Sequence, residues 1–131
     1  MAGIKDVYQT ADWKAEKHVP AITAPQKVAK GEFVEAMVSV GKEIPHPNTT
    51  EHHIRWIEVY FHPQGEKFPY QLGRFEFNAH GESAQGPNMS TVYALPHAVC
   101  RFKTEKPGTI LATSYCNIHG LWESSAELNV E

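Results

Sequence analysis

Three stretches of the chain gather side chains able to ligate a metal: Glu16-Lys17-His18, the run His46-Pro-Asn-Thr-Thr-Glu-His52-His53, and Cys116-Asn-Ile-His119. A Cys-x-x-His step lets a thiolate and an imidazole reach one metal from a single turn. The six-residue step from His46 to His52 lets a Pro-Asn loop fold two imidazoles together. Either motif alone recurs by chance, because an isolated His in a β-protein is usually exposed or hydrogen-bonded and Cys is often buried as a small hydrophobe. Their concurrence in a chain with 8 His and only 2 Cys is what points to a site. Structural zinc closes at four tetrahedral ligands, so a His-rich set with one thiolate and a spare position favours redox-active iron. Blue copper would want an axial Met after the Cys-x-x-His step, whereas all three Met, at 1, 37 and 89, precede Cys116, leaving only an axial Gln or backbone oxygen. An oxygenase built on two His and one carboxylate has no use for Cys116.

The other polar candidates separate by position. His53 alternates onto the opposite strand face from His52, so it makes supporting or packing contacts. His62, His80 and His97 lack ligand spacing and read as structural or exposed. Cys100 shares a strand face with Ala98 and Phe102 and reads as a buried, inert thiol. Taken singly, Glu16 and Lys17 are solvated surface charges, and only the adjacency to His18 makes Glu16 a candidate ligand.

These residues must be held by short strands. Val34, Ala36, Val38 and Val40 alternate with Phe33, Glu35, Met37 and Ser39 until Gly41, the pattern of a half-buried strand. The run 52–61 carries apolar residues on both faces and ends at Pro63-Gln-Gly65. Further runs cover 70–77, 91–102, 109–117 and 125–130, with breaks at 81–88, 106–108 and 120–123. No apolar stripe of period 3.6 is long enough for a major helix, so the expectation is an all-β sandwich of about seven strands. The first 30 residues, with Pro20 and Pro25, are expected to wrap it as an irregular loop or edge segment.

At 131 residues there is room for one domain, 1–131, and 41% hydrophobic residues suffice for its core. The net charge of −3 is spread without a basic run, which argues against nucleic acid. Charge or proline interrupts every stretch that could cross a bilayer, and the first 17 residues hold no apolar core of a secretory signal. With two cysteines compatible with a reducing compartment, the expected location is cytoplasmic.

The segments Trp13-Lys-Ala-Glu-Lys-His-Val-Pro20, Gly41-Lys-Glu-Ile-Pro-His-Pro-Asn-Thr-Thr-Glu-His-His53 and Ser114-Tyr-Cys-Asn-Ile-His-Gly-Leu-Trp122 resemble superoxide reductases of the neelaredoxin type, within the desulfoferrodoxin family. The likeness spans almost the whole chain, and the motifs occur in the family's order. It implies an immunoglobulin-like β-sandwich holding one mononuclear iron per chain, with His18, His46, His52 and His119 as equatorial imidazoles and Cys116 as the axial thiolate. Glu16 would be a sixth ligand in the ferric state only, with Lys17 beside the position it leaves open. Related desulfoferrodoxins carry a second iron in an extra four-cysteine domain, for which two cysteines cannot suffice. The implied reaction is one-electron reduction of superoxide to hydrogen peroxide, with a rubredoxin-like protein restoring the electron and a homotetramer as the assembly. The competing expectation is a non-catalytic mononuclear iron electron carrier or metal-binding protein, whose site would be saturated in both redox states.

Overall fold

The computed structural model describes residues 3–131, which form eight strands and one short 3-10 turn, Ile4–Asp6. The strands are β1 (Pro20–Thr23), β2 (Lys27–Val28), β3 (Phe33–Val40), β4 (Ile54–Pro63), β5 (Tyr70–Glu76), β6 (His97–Lys103), β7 (Gly108–Cys116) and β8 (Gly120–Val130). One sheet runs in the order β1-β3-β6 and the other β2-β8-β7-β4-β5. Neighbours pair antiparallel except β2, which lies parallel to β8. The all-β sandwich expected from the alternation is therefore present, with eight strands where about seven were read.

Alternation explains where each residue points. Along β7 every second side chain, Ile110, Ala112, Ser114 and Cys116, is buried. These meet Val34, Ala36 and Val38 of the facing sheet, and Phe61 packs on Phe102 with ring centroids 5.1 Å apart. Period-2 pleating thus carries the core face straight to the end of β7, where Cys116 is its last, fully buried member.

β4 follows a less regular rule with a larger consequence. Ile57, Val59 and Phe61 point inward, so strict alternation would bury Arg55 and His53 on the same face. The ladder with β7 instead shifts register between Ile54 and Trp56. This bulge absorbs Arg55 as an extra, exposed residue, so that Ile54 is buried opposite Cys116. Upstream of the bulge, even-numbered residues take the inward face, and His52 falls on the Cys116 side while His53 falls away from it. The expected division between the two histidines holds, and the bulge is its cause.

One expected edge segment is resolved into strands, and two boundaries differ from the sequence reading. The first 30 residues contribute two edge strands: β1 pairs with β3 and β2 with β8. The run at 91–102 becomes strand only from His97, because Pro96 has no N–H to give a ladder and 91–96 are spent on an isolated bridge, His80 with Tyr93. The break expected at 120–123 lies earlier, at Asn117–His119. Gly120, with φ 82°, closes that turn and already belongs to β8, opposite Cys116. Cys100 is half-buried against the core rather than enclosed, and burial pushes its thiol pKa up, as suits an inert cysteine. No helix among the described residues is long and apolar enough to cross a membrane.

His80 is buried, 3% exposed, and stacks flat on His53 with centroids 3.6 Å apart. Burial holds its pKa below the ordinary 6.5, the Phe77 carbonyl opposes this, and a positive charge on His53 reinforces it. Below pH 6.5 the unfolded chain therefore binds more protons than the folded one, and stability falls as pH drops through that window. His80→Gln should flatten the decline in unfolding free energy between pH 7 and pH 5, by at most ~1.4 kcal/mol per pH unit, in urea titrations of the metal-free chain. An unchanged slope would contradict the assignment.

Candidate metal centre

Donor atoms from three unconnected stretches converge at the end of the sandwich where β7 turns into β8. The possible ligand atoms of His18, His52, Cys116 and His119 all lie within 4.8 Å of one another. His119 Nδ1 is 3.1 Å from His18 Nε2, 3.2 Å from His52 Nε2 and 3.8 Å from Cys116 Sγ. His46 closes the group: its Nε2 is 3.6 Å from Cys116 Sγ, and its ring centroid lies 4.9 Å from that of His18 and 4.7 Å from that of His52. His18, His46 and Cys116 are buried, His52 is half-buried and His119 is exposed, so the cluster is walled on one side and open to water on the other.

Local chemistry decides which nitrogen each ring presents. His46 Nδ1 donates to the Pro47 carbonyl at 2.6 Å, leaving Nε2 unprotonated toward the sulfur. His18 Nδ1 donates to Glu16 Oε1 at 2.5 Å, and the His18 backbone N–H meets the same oxygen at 2.8 Å, so its Nε2 is the nitrogen that faces inward. His119, three residues after Cys116 in a tight turn, presents Nδ1, the nitrogen nearer its own backbone. Its N–H donates to Cys116 Sγ at 3.4 Å.

Electrostatics keep two of the rings, His46 and His52, in the ligand form. Burial lowers the pKa of His46 to about 4, against the pull of the Pro47 carbonyl, with charges on His18, His52 and Lys17 adding to the fall. Burial also lowers that of His52, helped by His119, His18 and Lys17. Burial works to raise the pKa of Glu16, but hydrogen bonds from the His18 backbone and ring overcome it and hold the carboxyl below its ordinary value. Four imidazole nitrogens and one sulfur facing one another make up a donor set. Such a set fits a single borderline cation, with the one thiolate and majority imidazole favouring iron over structural zinc.

A family model for desulfoferrodoxin matches residues 10–125. The chain belongs to the desulfoferrodoxin family. Neelaredoxin from Megalodesulfovibrio gigas is 59% identical over 120 residues, covering 92% of either chain. A superoxide reductase from Pyrococcus furiosus is 58% identical over 125 residues, 95% of this chain and 98% of that one. The solved superoxide reductase (neelaredoxin) from Archaeoglobus fulgidus in its reduced form superposes with a TM-score of 0.88 at 63% identity, covering 94% of this chain and 98% of that one.

In this desulfoferrodoxin chain the structure brings five of the sequence-selected side chains together: His18, His46, His52, Cys116 and His119. Glu16 is adjacent, but its carboxylate is engaged on the His18 nitrogen remote from the cluster. Lys17 is half-buried, and its charge acts on His46, His52 and Glu16. His53 packs on His80, His62 Nε2 meets the Glu66 carbonyl at 2.8 Å, and exposed His97 lies 2.9 Å from Met37 sulfur, so none of these joins the cluster. Sequence reading missed the supports. Trp122 stacks on His18 at 5.2 Å and donates from Nε1 to the His119 carbonyl, which also receives Gln9 Nε2 at 3.0 Å. Asn48 Nδ2 ties the ligand loop to the Ala94 carbonyl at 2.8 Å. Asn after a His-Pro was a visible turn signal, whereas Gln9 carried none, being joined to the site only through long-range pairing.

Gly41 is the tightest support. At φ 90°, a Cβ there would stand 2.5 Å from the His46 backbone nitrogen. Gly41→Ala should cost about 1–3 kcal/mol of stability through strain and should displace His46, weakening metal retention in chelator competition. Stability and retention equal to wild type would show that His46 tolerates a different path.

Proposed function

We infer that this chain is a superoxide reductase: O2•− + e− + 2 H+ → H2O2. The observation that carries the reading is the meeting of one buried thiolate with four imidazoles at the sandwich end, in a chain about 58% identical to a named superoxide reductase. We assign one iron per 1–131 domain to His18, His46, His52, His119 and Cys116. When bound, iron supplies the one-electron ferrous–ferric couple that the reaction requires.

The chain's own residues then have separable tasks. Cys116, whose sulfur accepts the His119 N–H, is the strongest electron donor in the set and sets how readily the site gives up an electron. Lys17 places a positive charge beside the imidazoles and attracts an anion of superoxide's size. Glu16 holds the His18 ring through Nδ1. We assign it as the additional ligand of the oxidised site, which requires that its carboxylate leave that nitrogen. The open side, at exposed His119, gives water access as the source of the two protons. Because each superoxide consumes an electron, an external donor is needed, and a rubredoxin-like protein is the donor we assign. A homotetramer agrees with the exposed apolar residues Met89, Val92 and Leu95 on the 86–95 loop. Two unpaired cysteines agree with a cytoplasmic location.

Rapid mixing of the ferrous protein with superoxide tests the reading. It should yield one peroxide per superoxide with oxidation of the iron. A dismutase would give half that yield, and a saturated electron carrier would not react rapidly. Cys116→Ser should lose both the thiolate-to-iron absorption and the reaction, while Cys100→Ser should keep both. Lys17→Ala should slow the second-order rate and flatten its salt dependence without releasing iron. Two unit charges about 6 Å apart at an effective dielectric near 20 interact by roughly 3 kcal/mol, so one to two decades is about the ceiling for that loss.

A further inference from the structure

Two of the three donor-bearing stretches, the 46–53 loop and the 116–120 turn, are separate in sequence, yet their donor atoms stand 3.2 Å apart at His52 and His119. Something must fix that separation, and one residue that is not itself a donor spans the gap. The Asn117 backbone N–H donates to the His53 carbonyl at 3.1 Å, its Oδ1 accepts the His53 N–H at 2.9 Å, and its Nδ2 donates to the Glu51 carbonyl at 2.8 Å. We propose that Asn117 is a positioning residue, whose side-chain amide clamps the Cys116–His119 turn onto the His52 loop and so sets the spacing of the donor cluster.

The placement argues for this task. The β4–β7 ladder ends at Ile54 opposite Cys116, and the pairing of Asn117 with His53 carries it one residue further. The bulge at Arg55 lies immediately beyond, so the ladder is weakest where the spacing matters most. The amide makes up the deficit. It grips both peptides flanking His52, Glu51 through its carbonyl and His53 through its N–H, while its own backbone adjoins Cys116. Only one orientation of an amide meets an N–H and a C=O together. A carboxylate would keep the first contact and lose the second, and an alkyl group would lose both. Other ties act elsewhere. Thr49 bonds within the loop, Asn88 holds the loop's outer side through Thr50 and Glu51, and Gln9 and Trp122 hold the far side of the turn. Among the described residues, Asn117 alone hydrogen-bonds from one of these two ligand stretches to the backbone of the other.

The inference rests on the cluster being the iron site, and its test separates the two. The full-length chain is loaded with iron, and three quantities are compared across wild type, Asn117→Ala, Asn117→Asp and Asn88→Gly. They are the rate of iron release to a chelator, the position of the thiolate-to-iron absorption, and the thermal midpoint of the metal-free chain. Asn117→Ala is expected to release iron about 10- to 100-fold faster and to move the absorption band, as loss of a group orienting a ligand does. Asn117→Asp, which keeps the acceptor, is expected to fall between Asn117→Ala and wild type. Asn88→Gly, a control at a φ of 59° that glycine favours, should lower the thermal midpoint without changing band or release rate. A wild-type band and a release rate within twofold in Asn117→Ala would overturn the proposal, whatever happened to the midpoint. Should that variant not fold, Asn117→Asp is judged by the same two thresholds. A wild-type chain that took up no iron would overturn the functional reading and this inference with it.

Discussion

The architecture of this protein turns on crowding several metal-ligating atoms together at one end of the sandwich. His119 Nδ1 sits 3.1 Å from His18 Nε2 and 3.2 Å from His52 Nε2, with a sulfur 3.8 Å away. Water would solvate such groups separately, and a flexible chain would let them spread. Here three of the four imidazole-bearing residues are held by further contacts: His46 by the Pro47 carbonyl, His18 by Glu16 and the face of Trp122, and His119 by its backbone N–H bond to sulfur. Preorganisation of this kind transfers the energetic cost to folding, so that a cation entering the cluster does not have to assemble its ligands. The lowered pKa values of His46 and His52 act in the same direction, because burial and neighbouring positive charge remove the competing proton.

The sandwich supplies the rigidity. Cys116 ends a strand whose inward face is continuous with the core, so its sulfur is the most deeply buried of the donors. The imidazoles arrive on loops, and the loops are stapled to strands. This division places the sulfur on a strand and the imidazoles on the turns and loops around it. The Arg55 bulge shows how little backbone change the site depends on, since one extra residue in β4 decides whether His52 or His53 faces the sulfur.

Much of this was legible in the sequence for physical reasons. Period-2 alternation in 33–40 and 109–117 reports which face is buried, and β3 and β7 follow it closely. Ligand type and spacing picked out the five side chains that the structure gathers, because a thiol and imidazoles at turn spacing are chemically distinctive. The parity argument that separated His52 from His53 reached the right division without its cause, since a bulge leaves no mark in a run that is apolar on both faces. What stayed hidden was long-range. Gln9, Trp122 and Asn117 act through contacts 64 to 110 residues apart in the chain, or through a neighbour's carbonyl, and no local pattern encodes those partners. Gly41 read as the end of a strand, whereas its close approach to His46 emerges only in three dimensions. The strand at 97–103 and the early edge strands were blurred by proline, which removes ladder donors without forbidding extended backbone.

The proposed function requires that a single iron take its ligands from this cluster, through Nε2 of three histidines, Nδ1 of a fourth and the Cys116 sulfur. X-ray absorption at the iron edge of the reduced, loaded protein counts those neighbours directly. One sulfur and four imidazole nitrogens about one iron per chain, with the sulfur absent in Cys116→Ser and retained in Cys100→Ser, is the result the account predicts. A site with no sulfur neighbour, or one whose sulfur persists in Cys116→Ser, would contradict it.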